Sequence, residues 1–95
     1  MLTVFKYSVE LNDYFTLNLP LRTKILNVDI QYNEFVLWAL VNPEHLVTEQ
    51  RRFRLAGTGH PIVEEATHLE YINTFKMQDG ALIFHVFEIL KGGVT

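Results

Sequence analysis

A 95-residue chain with 48% apolar and 13% aromatic residues has the size of one domain and too many rings to stay disordered. A formal net charge of −3 argues against nonspecific nucleic-acid binding, and the lack of cysteine removes disulfides and thiolate zinc sites. So short a chain buries only about 60–65% of its unfolded surface, so a partner copy would add stability and a homo-oligomer is expected.

The first residues, Met1 to Lys6, show no basic region leading into a long apolar segment, so no signal peptide is expected. Thr3 to Glu10 reads as a strand, and Leu11-Asn12-Asp13 as a turn, because Asn and Asp bond their own backbone. Tyr14 to Leu19 alternates Phe15, Leu17 and Leu19 against Thr16 and Asn18, which is a half-buried strand that Pro20 should stop. Lys24 to Gln31 alternates again, with Leu26, Val28 and Ile30 on one face. Tyr32-Asn33 then makes a tight connection to Phe35–Val41, a run without a polar residue. Such a run should be a central strand covered on both sides, and it is too short to span a membrane.

After the loop Asn42-Pro43-Glu44-His45 comes a basic strand, Val47 to Ala56, holding three of the eight Lys and Arg residues within four positions. Arg51, Phe53 and Leu55 share one face; Arg52, Arg54 and Ala56 share the other. Residues 60–68 are expected to form a short helical turn, with Pro61 at its first position and Glu64 and Glu65 near its positive end. Leu69–Met77 and Ala81–Leu90 are strands joined at Asp79-Gly80, the preferred two-residue hairpin turn. The tail, residues 91–95, is expected to be mobile. About seven short strands and at most one short helix make residues 1–95 a single all-β domain, a compact antiparallel sandwich or small barrel; α+β is the alternative.

Two features carry chemistry. Arg52 and Arg54 are alternate residues roughly 7 Å apart on one strand face, a spacing that suits adjacent phosphates or a carboxylate-rich surface. Gly57, Thr58, Gly59 and His60 add a loop whose N–H groups can form an anion-binding concavity. The structural alternative is a solvated strand face followed by a glycine-dependent turn. Arg51 shares its face with Phe53 and Leu55, so it is expected either to be half buried and paired or to mark a bulge. His60, Glu64 and His68 would stack on one face if the segment were helical throughout, the basis of a metal-hydrolase reading in which the ligand set is weak because Pro61 sits at the boundary. His85, between Phe84 and Val86, reads as a satisfied core or interface histidine in place of a catalyst. Ser8 is the single serine, so no Ser-His-Asp set is indicated and no catalytic residue is assigned.

Leu37-Trp38-Ala39-Leu40-Val41, Lys24-Ile25-Leu26-Asn27-Val28, Gly80-Ala81-Leu82-Ile83-Phe84-His85-Val86-Phe87 and, above all, Arg52-Phe53-Arg54-Leu55-Ala56-Gly57-Thr58-Gly59-His60-Pro61-Ile62 resemble a group of small uncharacterised proteins of bacteria and their phages. The likeness covers most of the chain. It implies a soluble cytoplasmic accessory protein, phage-encoded, and carries no activity, cofactor or catalytic residue with it.

The leading expectation is a cytoplasmic binding protein without turnover. It would take a phosphorylated small molecule, such as a nucleotide-like signal, or an acidic surface through Arg52, Arg54, Gly57, Thr58, Gly59 and His60. An interaction protein that occupies a host protein through its apolar strands is the second expectation, and a metal-dependent phosphodiesterase-like hydrolase the third. No nucleic acid and no membrane partner is expected.

Overall fold

Period-two alternation becomes seven antiparallel strands in the computed structural model, which describes residues 1–91; the expectation for the rest of the tail lies outside them. They are β1 (Thr3–Ser8), β2 (Tyr14–Pro20), β3 (Lys24–Gln31), β4 (Glu34–Val41), β5 (Thr48–Gly57), β6 (Leu69–Met77) and β7 (Leu82–Ile89). Two sheets form, one in the order β1-β4-β3 and the other in the order β2-β5-β7-β6. The all-β expectation holds, and of its two forms the chain takes the sandwich. No helix among the described residues is long and apolar enough to cross a membrane.

The core is a run of rings passing between the sheets. Phe15 stacks on Phe53 with centroids 4.8 Å apart. Phe35, from the three-stranded sheet, meets Phe15 edge-on at 6.1 Å and Phe75 at 5.1 Å. Phe75 in turn lies 5.6 Å from Phe84. Each such pair adds about 0.5–1.5 kcal/mol beyond the area it buries. Val28, Leu37, Ala39, Val41 and Val86 fill the space around the rings, each fully buried.

Local chemistry explains most connections. Tyr32 and Asn33 both adopt positive φ, 51° and 63°, which makes the tight turn that closes the β3–β4 hairpin. Pro20 does end β2, as its last residue opposite Thr48. The β6–β7 hairpin also forms, but not through a two-residue Asp-Gly turn. Met77 pairs with Leu82, so Gln78 to Ala81 form the loop, with φ of 51°, 54° and 89° at Gln78, Asp79 and Gly80.

Two further expectations are corrected. Leu26 does not share a face with Val28 and Ile30, because a β-bulge falls between Ile25 and Asn27 and leaves Leu26 39% exposed. The helical turn expected over residues 60–68 is reduced to a single 3-10 turn, Ala66–His68, entered from an extended Glu65 (φ −72°, ψ 145°). The carbonyl of Pro61 is taken by Arg54 and the carboxylate of Glu64 by Tyr14. These tertiary bonds hold the segment stretched along the four-stranded sheet.

The seam between β3 and β6 is closed by one side chain. Asn73 Oδ1 accepts from the Val28 N–H at 3.0 Å, and its Nδ2 donates to the Val28 carbonyl at 2.8 Å. The amide thus fills an open rung of the β3 ladder, beside a second bulge between Tyr71 and Asn73. Replacing Asn73 with alanine orphans two buried backbone groups and should cost about 2 kcal/mol. Amide exchange should then accelerate at Val28 before it does at Leu37; unchanged protection of Val28 would sink this account of the seam.

Candidate functional site

Parity along β5 decides where each arginine goes. Arg51 points between the sheets, as its neighbours Phe53 and Leu55 require, and it is paired. Its Nη2 donates to Glu88 Oε1 at 2.8 Å, its Nε donates to the other oxygen of the same carboxylate, and its Nη1 donates to the Thr23 carbonyl at 2.8 Å. Glu49 lies 3.9 Å away. The bond to Glu88 raises the Arg51 pKa further above its ordinary value. This cluster closes one end of the core and lines a groove of about 360 Å³ with Lys24 and Glu70.

Arg54 points outward yet is 6% exposed. Residues 58–65 fold back over it. Its Nη1 donates to the carbonyls of Leu55 (2.7 Å) and Asp13 (3.2 Å), and its Nη2 to that of Pro61 (2.9 Å). The guanidinium carbon sits 5.0 Å from the centre of the Tyr14 ring, within cation–π range. The Asp13 carboxylate stands 3.9 Å away and is itself exposed. Four residues therefore meet one guanidinium, and the planar fork works as a clamp holding the loop and the β2 entry to β5.

The loop has its own logic. The His60 ring lies against Gly57, where a Cβ would come within 2.9 Å of the His60 Cε1. The His60 N–H donates to the Gly57 carbonyl at 3.0 Å, and Gly59 takes a φ of 89°, which favours glycine. Thr58 continues toward β7: its N–H donates to Ile83 at 3.2 Å, and its hydroxyl meets His85 Nε2 at 2.7 Å. His85 Nδ1 bonds Thr74 at 3.0 Å, and Thr74 bonds the Tyr71 hydroxyl at 2.8 Å. His85 is thus satisfied at both nitrogens, on the outer face of the sheet.

Of the six residues singled out as a ligand site, Arg52 alone presents a guanidinium without a hydrogen bond or ion pair among the described residues. It lies between Thr16 and Ile89 in register. Thr58 lies six positions further along the chain, roughly 20 Å at the rise of an extended chain. Arg54 is spent on the clamp, and Gly57, Thr58, Gly59 and His60 gather at the far end. The six do not converge on one ligand. Nor do His60, Glu64 and His68 stack, since the segment is extended; no group of three His, Asp or Glu suited to a metal occurs among the described residues.

Glu64 is 7% exposed and takes the Tyr14 hydroxyl on both carboxylate oxygens, at 2.8 and 3.1 Å. That bond, followed by burial, raises the Tyr14 pKa above 10.0. A raised pKa on a group that donates when neutral stabilises the fold fully below pH 10.0, and the contribution is lost as pH climbs through the folded value. Absorbance titration at the tyrosinate band should therefore show a late-ionising tyrosine that disappears in Tyr14→Phe. Superimposable curves for the two proteins would exclude the assignment. Burial raises Tyr7 as well, so one late component should remain.

A feature that the strand pattern did not disclose lies on the other sheet. β4 is central in its sheet as expected; on its outer face Val36 is buried, while Trp38 and Leu40 are each half-buried. Val4 sits directly opposite Leu40 and is 53% exposed, and the bulged Leu26 beside Trp38 is 39% exposed. The four make an apolar strip on the solvent side. Lys24 faces Leu40 and Lys6 faces Trp38 in register, so the strip has a basic border. An unbroken apolar run is the signal it leaves in the sequence, and a buried central strand leaves the same one.

Over residues 1–93 the chain matches the family model described as a domain of unknown function (DUF7352), and it belongs to that family. No curated protein and no solved structure matches it.

Proposed function

We propose that this protein is a small binding protein that acts without turnover, as a cytoplasmic accessory factor of a bacterium or its phage, and docks a protein partner on the Trp38 strip. The strip of exposed Val4 and Leu26 with half-buried Trp38 and Leu40 carries the reading. Large apolar side chains grouped on a solvent face favour a protein contact, and tryptophan is the residue type most enriched among those that dominate binding energy. The border of Lys6 and Lys24 favours a partner with an apolar centre and an acidic rim. Apart from Arg52, the Arg-Phe-Arg and Gly-Thr-Gly-His residues are accounted for by the clamp and the loop turn, which lowers the support for a pocket there.

A photo-crosslinking side chain placed at Leu40 should capture a partner in host cells. Trp38→Ala should weaken that capture about 30-fold, the loss expected of about 2 kcal/mol at an interface centre. Capture that is indifferent to Trp38→Ala would remove the reading.

Arg52 favours a second reading, contact with a phosphorylated small molecule, because its guanidinium lacks a protein partner among the described residues. Native mass spectrometry of protein purified from cells separates the two. A retained phosphorylated ligand, released intact on denaturation and lost in Arg52→Ala, supports the second reading and displaces the first.

A further inference from the structure

The four strands that end the two sheets are not equally protected. At β3, the Asn73 amide occupies the backbone groups of Val28, and a bulge interrupts the ladder. β6 carries a bulge of its own and lies beside β3. β2 ends in Pro20, which offers no donor. β1 has none of these devices: no proline, no bulge, and the sequence Thr-Val-Phe-Lys-Tyr-Ser, rich in residues that favour strands.

The direction of its free hydrogen-bonding groups follows from one bond. Val9 N–H donates to the Phe35 carbonyl at 3.0 Å, continuing the register that pairs Ser8 with Val36 and Tyr7 with Leu37. In an antiparallel pair the bonded positions alternate, so the odd residues of β1 bond to β4. The even ones, Val4, Lys6 and Ser8, turn their N–H and carbonyl groups to the open edge, and Leu2, just before the strand, continues the same parity. The one charge on the strand does not guard it. Lys6 Nζ donates to Gln31 Oε1 on β3 at 2.9 Å, which lays the lysine across the face of β4 and away from the edge. On the two faces, Leu2 is 59%, Val4 53% and Phe5 42% exposed.

We infer that β1 pairs with β1 of a second copy, antiparallel about a two-fold axis, to join the two three-stranded sheets into one of six strands. The strand is its own complement in the register that sets Phe5 against Phe5 of the copy. Val4 then exchanges backbone bonds with Lys6, and Leu2 with Ser8. Phe5 and its copy fall at a close, non-hydrogen-bonded position where side chains meet directly. No lysine opposes its twin. The contact is isologous, so it closes at two copies and does not grow into a fibre. It uses the strand edge, and so stands apart from the Trp38 face: a monomer with an active Trp38 strip would defeat this inference alone.

The chain has no cysteine, so Phe5→Cys supplies a single reporter. Cα atoms at a non-hydrogen-bonded antiparallel position lie about 4.5 Å apart, within disulfide range. Under mild oxidation Phe5→Cys should run as a covalent dimer, and Val63→Cys, also exposed at 77% but distant from β1 in the fold, should lag at least ten-fold. Light scattering of the wild-type protein should report twice the 11.1 kDa chain mass. Lys6→Pro removes a donor that faces the open edge and leaves the β4 ladder intact, so it should return the mass to one chain with an unchanged circular dichroism spectrum. A wild-type monomer at 100 µM (roughly the top of the range in which weak dimers form), crosslinking no faster at Phe5→Cys than at Val63→Cys, or a dimer that survives Lys6→Pro would each overturn the inference. Crosslinking of Phe5→Cys to a different protein in place of its own copy would overturn it too.

Discussion

Arg54→Ala should lower the free energy of unfolding by about 3 kcal/mol, the range for losing a buried hydrogen-bonded charge, and with it the thermal midpoint by about 15 °C for a domain of this size. The reason is where the guanidinium stands. It is 6% exposed, and it supplies donors to the carbonyls of Leu55 and Pro61. Alanine leaves those acceptors without their donor and opens a void beneath the Tyr14 ring. Residues 58–65 then lose their anchor, so hydrogen exchange there should rise ahead of global unfolding. Arg54→Lys should recover little, because an ammonium on a flexible stem cannot reproduce a planar fork that reaches Leu55 and Pro61 at once. A denaturation midpoint for Arg54→Ala within about 0.5 kcal/mol of wild type, the scatter of ordinary surface changes, would mean that the clamp is idle. In that event the arginine would return to the list of ligand contacts.

Arg51→Ala is expected to cost a similar amount, about 3 kcal/mol, for a different physical reason. Glu88 is 8% exposed and receives two of the Arg51 donors. Without them a carboxylate remains on the inner face beside Phe53, its register partner on β5. The penalty belongs to the stranded charge more than to the lost pair, so removing both ends should be milder. Arg51→Met combined with Glu88→Leu should recover at least half of the loss, as replaced buried ion pairs do. Chemical denaturation of the two single variants and the double variant gives the coupling directly. Additive losses would show that the pair does not act as a unit.

Arg51 and Arg54 mark the boundary of what alternation reveals. That Arg51 shares a face with Phe53 and Leu55 is legible from its position, and so is its need for an acidic partner; that the partner is Glu88, thirty-seven residues away, is not. Arg54 shares a face with Arg52, and position alone makes the two equivalent. The structure separates them because residues 58–65 cross one and leave the other. That crossing depends on Tyr14 meeting Glu64 across fifty residues, and no local propensity contains it. The same contact withholds from residues 60–68 the helix that Pro61 and the two glutamates invite.

Trp38 shows the limit on the other sheet. Phe35–Val41 has the composition of a strand buried on both faces, and its inner residues, Phe35, Leu37, Ala39 and Val41, are buried, as is Val36 on the outer face. Whether a second layer covers the outer face is a fact of the whole fold.

The sequence by itself determined the seven strands, both hairpins, the all-β class and, outside the bulges at Leu26 and Ile72, the face each residue takes, because side chains on an extended backbone alternate with a fixed period of two. The tertiary structure alone decided which outward residues meet water. Arg54 is covered, Arg52 and Trp38 are covered only in part, and the edge of β1 stays open while Asn73 seals that of β3. Exposure depends on contacts between segments far apart in the chain, and an alternating pattern holds no information about them.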